Sequence, residues 1–156
     1  MSSGIVLVYL AAPYTHESER VRQARFLAVT EQAARGWEQG YGVYSPLTLT
    51  HEAAVRFGLP KDWAFWAAMC RATLERHHEL WVLCLPGWRE SVGVQAEIAI
   101  ARALGLPVRY IVPESAMRCA TCPYAIECYD PIARPCGWIA CPYGAEWVED
   151  ERGKPR

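Results

Sequence analysis

Residues 80–112 read LWVLCLPGWRESVGVQAEIAIARALGLPVRYIV, and the fold turns on how they divide. Leu80–Leu85 is a short apolar run, the pattern of a strand buried on both faces of a parallel sheet. Pro86, Gly87 and Trp88 break it. Ser91 caps a helix over 92–104, Gly105 fits that helix's C-terminal end, and Val108–Val112 begins another strand. Strand, helix and strand in this order predict a right-handed parallel crossover.

The same alternation runs through the preceding residues. Ile5–Leu10 (IVLVYL) is a buried strand, and a helix over about 16–36 follows, with Thr15 as its N-cap and Glu17 and Glu19 near its positive end. Val21, Ala24, Leu27 and Ala28 form that helix's apolar stripe. Gly42–Ser45 is a short strand stopped by Pro46, which has no amide hydrogen for a ladder. Pro46–Pro60 reads as a long connection with some helical potential from His51 to Phe57, and connections of that length tend to carry function. A helix rich in aromatic residues runs from Lys61 or Asp62 to about His78. The expectation is an α/β fold, a Rossmann-like or flavodoxin-like parallel sheet flanked by helices, over residues 1–114. Ligands of such sheets bind beyond the C-terminal strand ends, which here means the loops after Leu10, Ser45 and Leu85.

Composition narrows the function classes. With 16 basic and 17 acidic residues among 156 and 52% hydrophobic content, the chain has material for a core and no basic field for a nucleic-acid polymer. Its longest apolar runs fall far short of the roughly 20 residues of a membrane helix, and no basic leader precedes them, so a cytoplasmic protein is expected. Seven cysteines are the outlying feature. Cys70 and Cys84 stand alone, whereas Cys119, Cys122, Cys128, Cys136 and Cys141 crowd into the last part. Residues 115–156 are therefore read as a separate Cys-rich extension. Four thiolates suffice for tetrahedral zinc or an iron–sulfur cluster, and a metal staple suits a segment too small for its own core. Structural zinc is the first expectation, an iron–sulfur cluster the second, and reduced thiols or disulfides the alternative.

The turn at Ser91–Glu97 (SVGVQAE) carries the candidate chemistry. A serine hydroxyl and the free amides of a helix N-terminus make an anion site, and Gly93 permits close approach. Glu97 lies on a segment otherwise suited to burial, so it faces either solvent or the cleft at the strand ends.

Four segments, YLAAPYTH at 9–16, YSPLT at 44–48, ELWVLCLPGW at 79–88 and SVGVQAEIAIARALGLPVRYI at 91–111, together resemble the nucleoside 2-deoxyribosyltransferase superfamily. The likeness is to an uncharacterised bacterial and phage branch and extends to the deoxynucleoside 5′-monophosphate N-glycosidases. It implies that Glu97 is the nucleophile that attacks C1′ as the base departs, with water or a second base resolving the glycosyl-enzyme. It implies that Ser91 binds a 5′-phosphate, with Arg89 nearby to add charge. The substrate is then a nucleoside or its monophosphate, catalysis needs no cofactor, and a homodimer or higher oligomer is expected. Tyr9, Ala12, Tyr14, His51, Trp88, Ser91 and Gly93 are the expected substrate contacts.

One position departs from that pattern. Where the superfamily places an aspartate before the third strand, counting back from His78 gives Cys70, a poor substitute acid. Asp62, His77 or His78 would have to serve, or the chemistry is weakened or lost. Cys70 and His77 lie seven apart, on one face if the helix reaches that far, although a cysteine between Met69 and Leu74 more often fills a core. Among the aromatics, Trp66 is assigned to packing, whereas Tyr14 and Trp88 are kept as ligand contacts. The rival readings of the whole are a nucleotide-binding module without turnover, and a metal or redox protein acting through the extension.

Overall fold

The computed structural model describes residues 4–113. The five cysteines expected to bind metal, and the extension that holds them, lie outside the described residues. The described residues form four strands and four helices in the order β1 (Leu7–Ala11), α1 (Glu19–Glu38), β2 (Gly42–Tyr44), α2 (Pro46–Phe57), α3 (Trp63–Leu74), β3 (Glu79–Leu83), α4 (Val92–Ala103) and β4 (Val108–Ile111), with two helices between β2 and β3. The strands form one parallel sheet in the order β2-β1-β3-β4. The expected α/β architecture with a parallel sheet between helices is therefore present.

Strand periodicity decides which helix covers which face. Val8, Leu10, Trp81 and Leu83 point to one side and pack with Ala28, Val29 and Ala33 of α1. Tyr9, Ala11, Leu80 and Val82 point to the other and pack with Cys70 and Leu74 of α3 and Val94, Ile98 and Ala101 of α4. Every residue of β3 is buried, as the unbroken apolar run from Leu80 onward predicts for all but its first. Glu79, which opens β3, is held in that setting by the Trp81 indole N–H at 3.0 Å and the Arg109 guanidinium at 2.9 Å.

Three local expectations are corrected. The N-cap of α1 is Ser18, whose hydroxyl accepts from Val21 N, and Thr15 instead donates to Lys61 O. Pro46–Phe57 is a helix from its first residue, with Pro46 at a position whose amide would be unpaired in any case. Finally, α3 ends at Leu74 with Glu75 as its C-cap, so Cys70 and His77 do not share a helical face. His77 Nδ1 is hydrogen-bonded to Thr73 O, and His78 Nδ1 accepts from Leu7 N. Both histidines pin the entry to β3. The end of α4 follows expectation: Gly105, at φ 71°, turns the chain while its N–H donates to Arg102 O and Leu106 N–H to Ala101 O.

The approach of α1 to the sheet depends on Gly36. A Cβ there would meet Val43 Cγ2 at 2.4 Å and Trp81 Cζ3 at 3.4 Å, and Val43 is a buried, β-branched neighbour with little freedom to yield. Alanine normally favours a helix interior by about 1 kcal/mol over glycine, whereas overpacking costs about 1–3 kcal/mol. The clash outweighs the propensity. Gly36→Ala is expected to lower the unfolding midpoint in urea, and an unchanged or raised midpoint would show that α1 can retreat from β2 freely.

Candidate active site

The strand order reverses between β1 and β3, and a cavity of about 770 Å³ opens where the loops after these strands part. Ala11–Thr15 at the end of β1, the first half of α2 after β2, and Gly87, Glu90 and Ser91 after β3 contribute to its wall. This is the expected place for a ligand in an open parallel sheet. Much of the lining is apolar, with Pro13, Leu47, Ala54, Trp63 and Trp66 among it. Trp66, assigned to packing from its spacing, thus borders the cavity as well, with its indole N–H on Pro60 O.

Glu97 faces this cavity and not bulk solvent, at 5% exposure. It comes from the second turn of α4, on the same face as Val94 and Ala101, so the core-directed stripe of the helix carries the carboxylate to the cavity wall. The Tyr9 hydroxyl donates to its Oε1 at 2.6 Å. Burial pushes the carboxyl up to about 7, although Tyr9 and the adjoining Cys70 thiol both favour its charged form. Burial also raises Cys70, to about 11, so its thiol keeps its proton beside Glu97. Tyr9 is wholly buried and does not line the cavity; it orients Glu97 from behind.

At the mouth of β3, Ser91 caps α4 as expected, accepting from Val94 N at 3.4 Å, and Ser91 and Gly93 both line the cavity. Gly93 backs onto the Trp63 ring, which a Cβ would approach to 3.4 Å. Across from them Ala12, Tyr14 and His51 line the wall. His51, expected in a loop, is buried in α2: its ring stacks on Phe26 at 4.2 Å, Nδ1 meets the Tyr14 hydroxyl at 2.9 Å, and Nε2 meets Gln23 Oε1 at 2.8 Å. Burial lowers its pKa, against the raising influence of Glu52, so the neutral ring is favoured.

Besides Tyr9, which stands behind Glu97, the expected contacts Trp88 and Arg89 are not brought to the cavity. Trp88 lies against Tyr110, with the Arg89 guanidinium over its ring at 4.6 Å. Neither lines the cavity wall. Two cations among the described residues line the wall, Lys61 and Arg25 of α1; sequence reasoning missed Arg25, whose guanidinium donates to Thr15 O and Pro86 O, both at 2.9 Å. Its signal was an arginine adjoining Ala24 and Ala28 on the helix's apolar stripe. Asp62 lines the cavity and caps α3 through Phe65 N, whereas His77 and His78 do not reach it.

The family model for the domain of unknown function DUF1937 matches residues 6–112. The chain belongs to the DUF1937 family. Its matched segment coincides with the sheet and its helices, so every side chain of the cavity comes from the DUF1937 domain. No curated protein matches the chain. Among the described residues no helix is long and apolar enough to cross a membrane.

Proposed function

We propose that this DUF1937 protein cleaves, or transfers at, the N-glycosidic bond of a nucleoside or nucleoside 5′-monophosphate, with the Glu97 carboxylate as nucleophile. The observation that carries the proposal is a buried carboxylate on a cavity wall, held by a tyrosine hydroxyl at 2.6 Å. In the first step a Glu97 oxygen bonds to C1′ while the C1′–N pair leaves with the base, through an oxocarbenium-like state. Water or a second base then displaces Glu97 from C1′. Of the side chains considered for protonating the leaving base, Asp62 is the one on the cavity wall. The free amides that open α4, the Ser91 hydroxyl and Arg25 supply positive potential suited to a 5′-phosphate.

One observation favours a second reading, nucleotide binding without turnover. Cys70 adjoins Glu97 with its thiol held neutral, where the resemblance implies an aspartate. The two are separated by incubating the protein with ribo- and deoxyribonucleosides and their 5′-monophosphates and assaying free base, while trapping a glycosyl ester on Glu97 for mass spectrometry. Retained binding with no base released from any substrate would leave the binding module standing and remove the enzyme.

Tyr9→Phe tests the support of the nucleophile. Loss of the hydroxyl removes a donor that favours the carboxylate, so Glu97 should ionise at higher pH. The acid limb of the pH–rate profile is expected to move upward, with kcat near neutrality falling about fivefold for the first pKa unit displaced. A lower rate with an unmoved limb would mean that Tyr9 only packs.

A further inference from the structure

Four hydroxyl side chains line the cavity among the described residues, Tyr14, Thr15, Thr50 and Ser91, and a hydroxyl has one proton to give. Following each proton separates two walls. Thr50 Oγ1 donates to Pro46 O at 2.8 Å and Thr15 Oγ1 to Lys61 O at 3.0 Å. Tyr14 is decided through His51. Gln23 Oε1 can only accept, so His51 Nε2 carries the hydrogen at that contact and Nδ1 is left with a lone pair. The Tyr14 hydroxyl must then donate to Nδ1. All three protons on this side are committed within the protein, and the oxygens can offer a ligand only lone pairs. Ser91 is the opposite case, since its oxygen accepts from Val94 N and its proton remains free. Arg25 lies between the two, its guanidinium donating to Thr15 O on one side and Pro86 O on the other.

The surroundings strengthen the division. Tyr14 and Thr50 share the lining with Pro13, Leu47 and Ala54, apolar neighbours that have no donor to offer a misplaced lone pair. The His51 ring also borders this wall, but both its nitrogens are engaged. Lys61, the ammonium on this side, is an exposed residue at the rim.

We propose that the Tyr14–Thr50 wall is a hydrogen-acceptor subsite that selects nucleobases presenting an exocyclic amine, adenine and cytosine, over their keto counterparts. An amine has two N–H donors for two oxygens, whereas a carbonyl in its place meets them lone pair to lone pair. His51 is the positioning residue that sets the polarity of Tyr14, and Tyr14 and Thr50 set specificity. The inference rests on the glycosidic proposal, because that proposal puts a nucleobase in the cavity.

The test is calorimetric binding to Glu97→Gln protein, which holds substrates without consuming them, using two matched pairs of deoxynucleoside 5′-monophosphates. One pair carries adenine and hypoxanthine, the other cytosine and uracil. The amine-bearing member of each pair is expected to bind about tenfold tighter. Adding Tyr14→Phe and Thr50→Val should abolish that preference, weakening the amine-bearing members and relieving the repulsion that opposes the keto ones, while an unchanged circular-dichroism spectrum reports that the fold survives the changes. Equal affinities within pairs, tighter keto binding, or a preference that persists in the substituted protein would overturn the acceptor subsite and leave the glycosidic proposal intact. Absence of binding by all four nucleotides, together with no base release by the unsubstituted protein, would overturn both.

Discussion

Glu97→Gln is expected to reduce base release by about a thousandfold or more, the scale of loss when a covalent nucleophile is removed. Glutamine keeps the side-chain length and an amide oxygen for the Tyr9 hydroxyl, so the loss isolates the negative charge from the shape of the cavity. The unsubstituted protein should gain activity as pH rises through about 7, where burial has moved the Glu97 carboxyl, because only the carboxylate attacks C1′. Free base measured by chromatography across that range checks both halves. A variant that retained a tenth of the activity would remove Glu97 from the covalent step.

The same substitution should stabilise the fold at high pH. The Glu97 carboxyl moves from 4.5 to about 7 on folding, so the native state holds a proton that the unfolded chain has released. The stability associated with that proton is present in full below the unfolded value and is lost as pH rises through the folded one. The whole effect is about 3 kcal/mol, and glutamine does not titrate. Urea denaturation of the two proteins should give similar stabilities at about pH 4 and a variant about 3 kcal/mol more stable at about pH 8.5. Parallel stabilities at both values would mean that water reaches Glu97 freely.

The centre of the sheet was legible because β1 and β3 are buried on both faces, so Leu80–Leu83 and Val8–Leu10 stand out as unbroken apolar runs. The helix α2 was harder. Pro46 signals an end to β2 and equally well the first turn of a helix, and Thr48 and Thr50 lower helical propensity. Thr50 is accommodated by its bond back to Pro46 O, a contact that no spacing rule anticipates. The overlong reading of α3 had a similar origin, since nothing resembling glycine or proline marks its end at Leu74. Within the site, Ser91 and Glu97 were accessible because a cap and a helical stripe have sequence signatures. Arg25 and the Tyr14–His51–Gln23 chain join separate segments, and only tertiary structure brings them together. Trp88 failed for the converse reason: a loop aromatic near a cleft found a better partner in Tyr110 of β4.

Arg25 has a mechanical consequence. By donating to Thr15 O and Pro86 O, one guanidinium straps together two loops that the sequence holds far apart. An ammonium is a point charge on a more flexible stem and lacks the planar fork that spans both carbonyls. With the strap in place the mouth is already set before a ligand arrives, so neither loop's ordering entropy is charged against affinity.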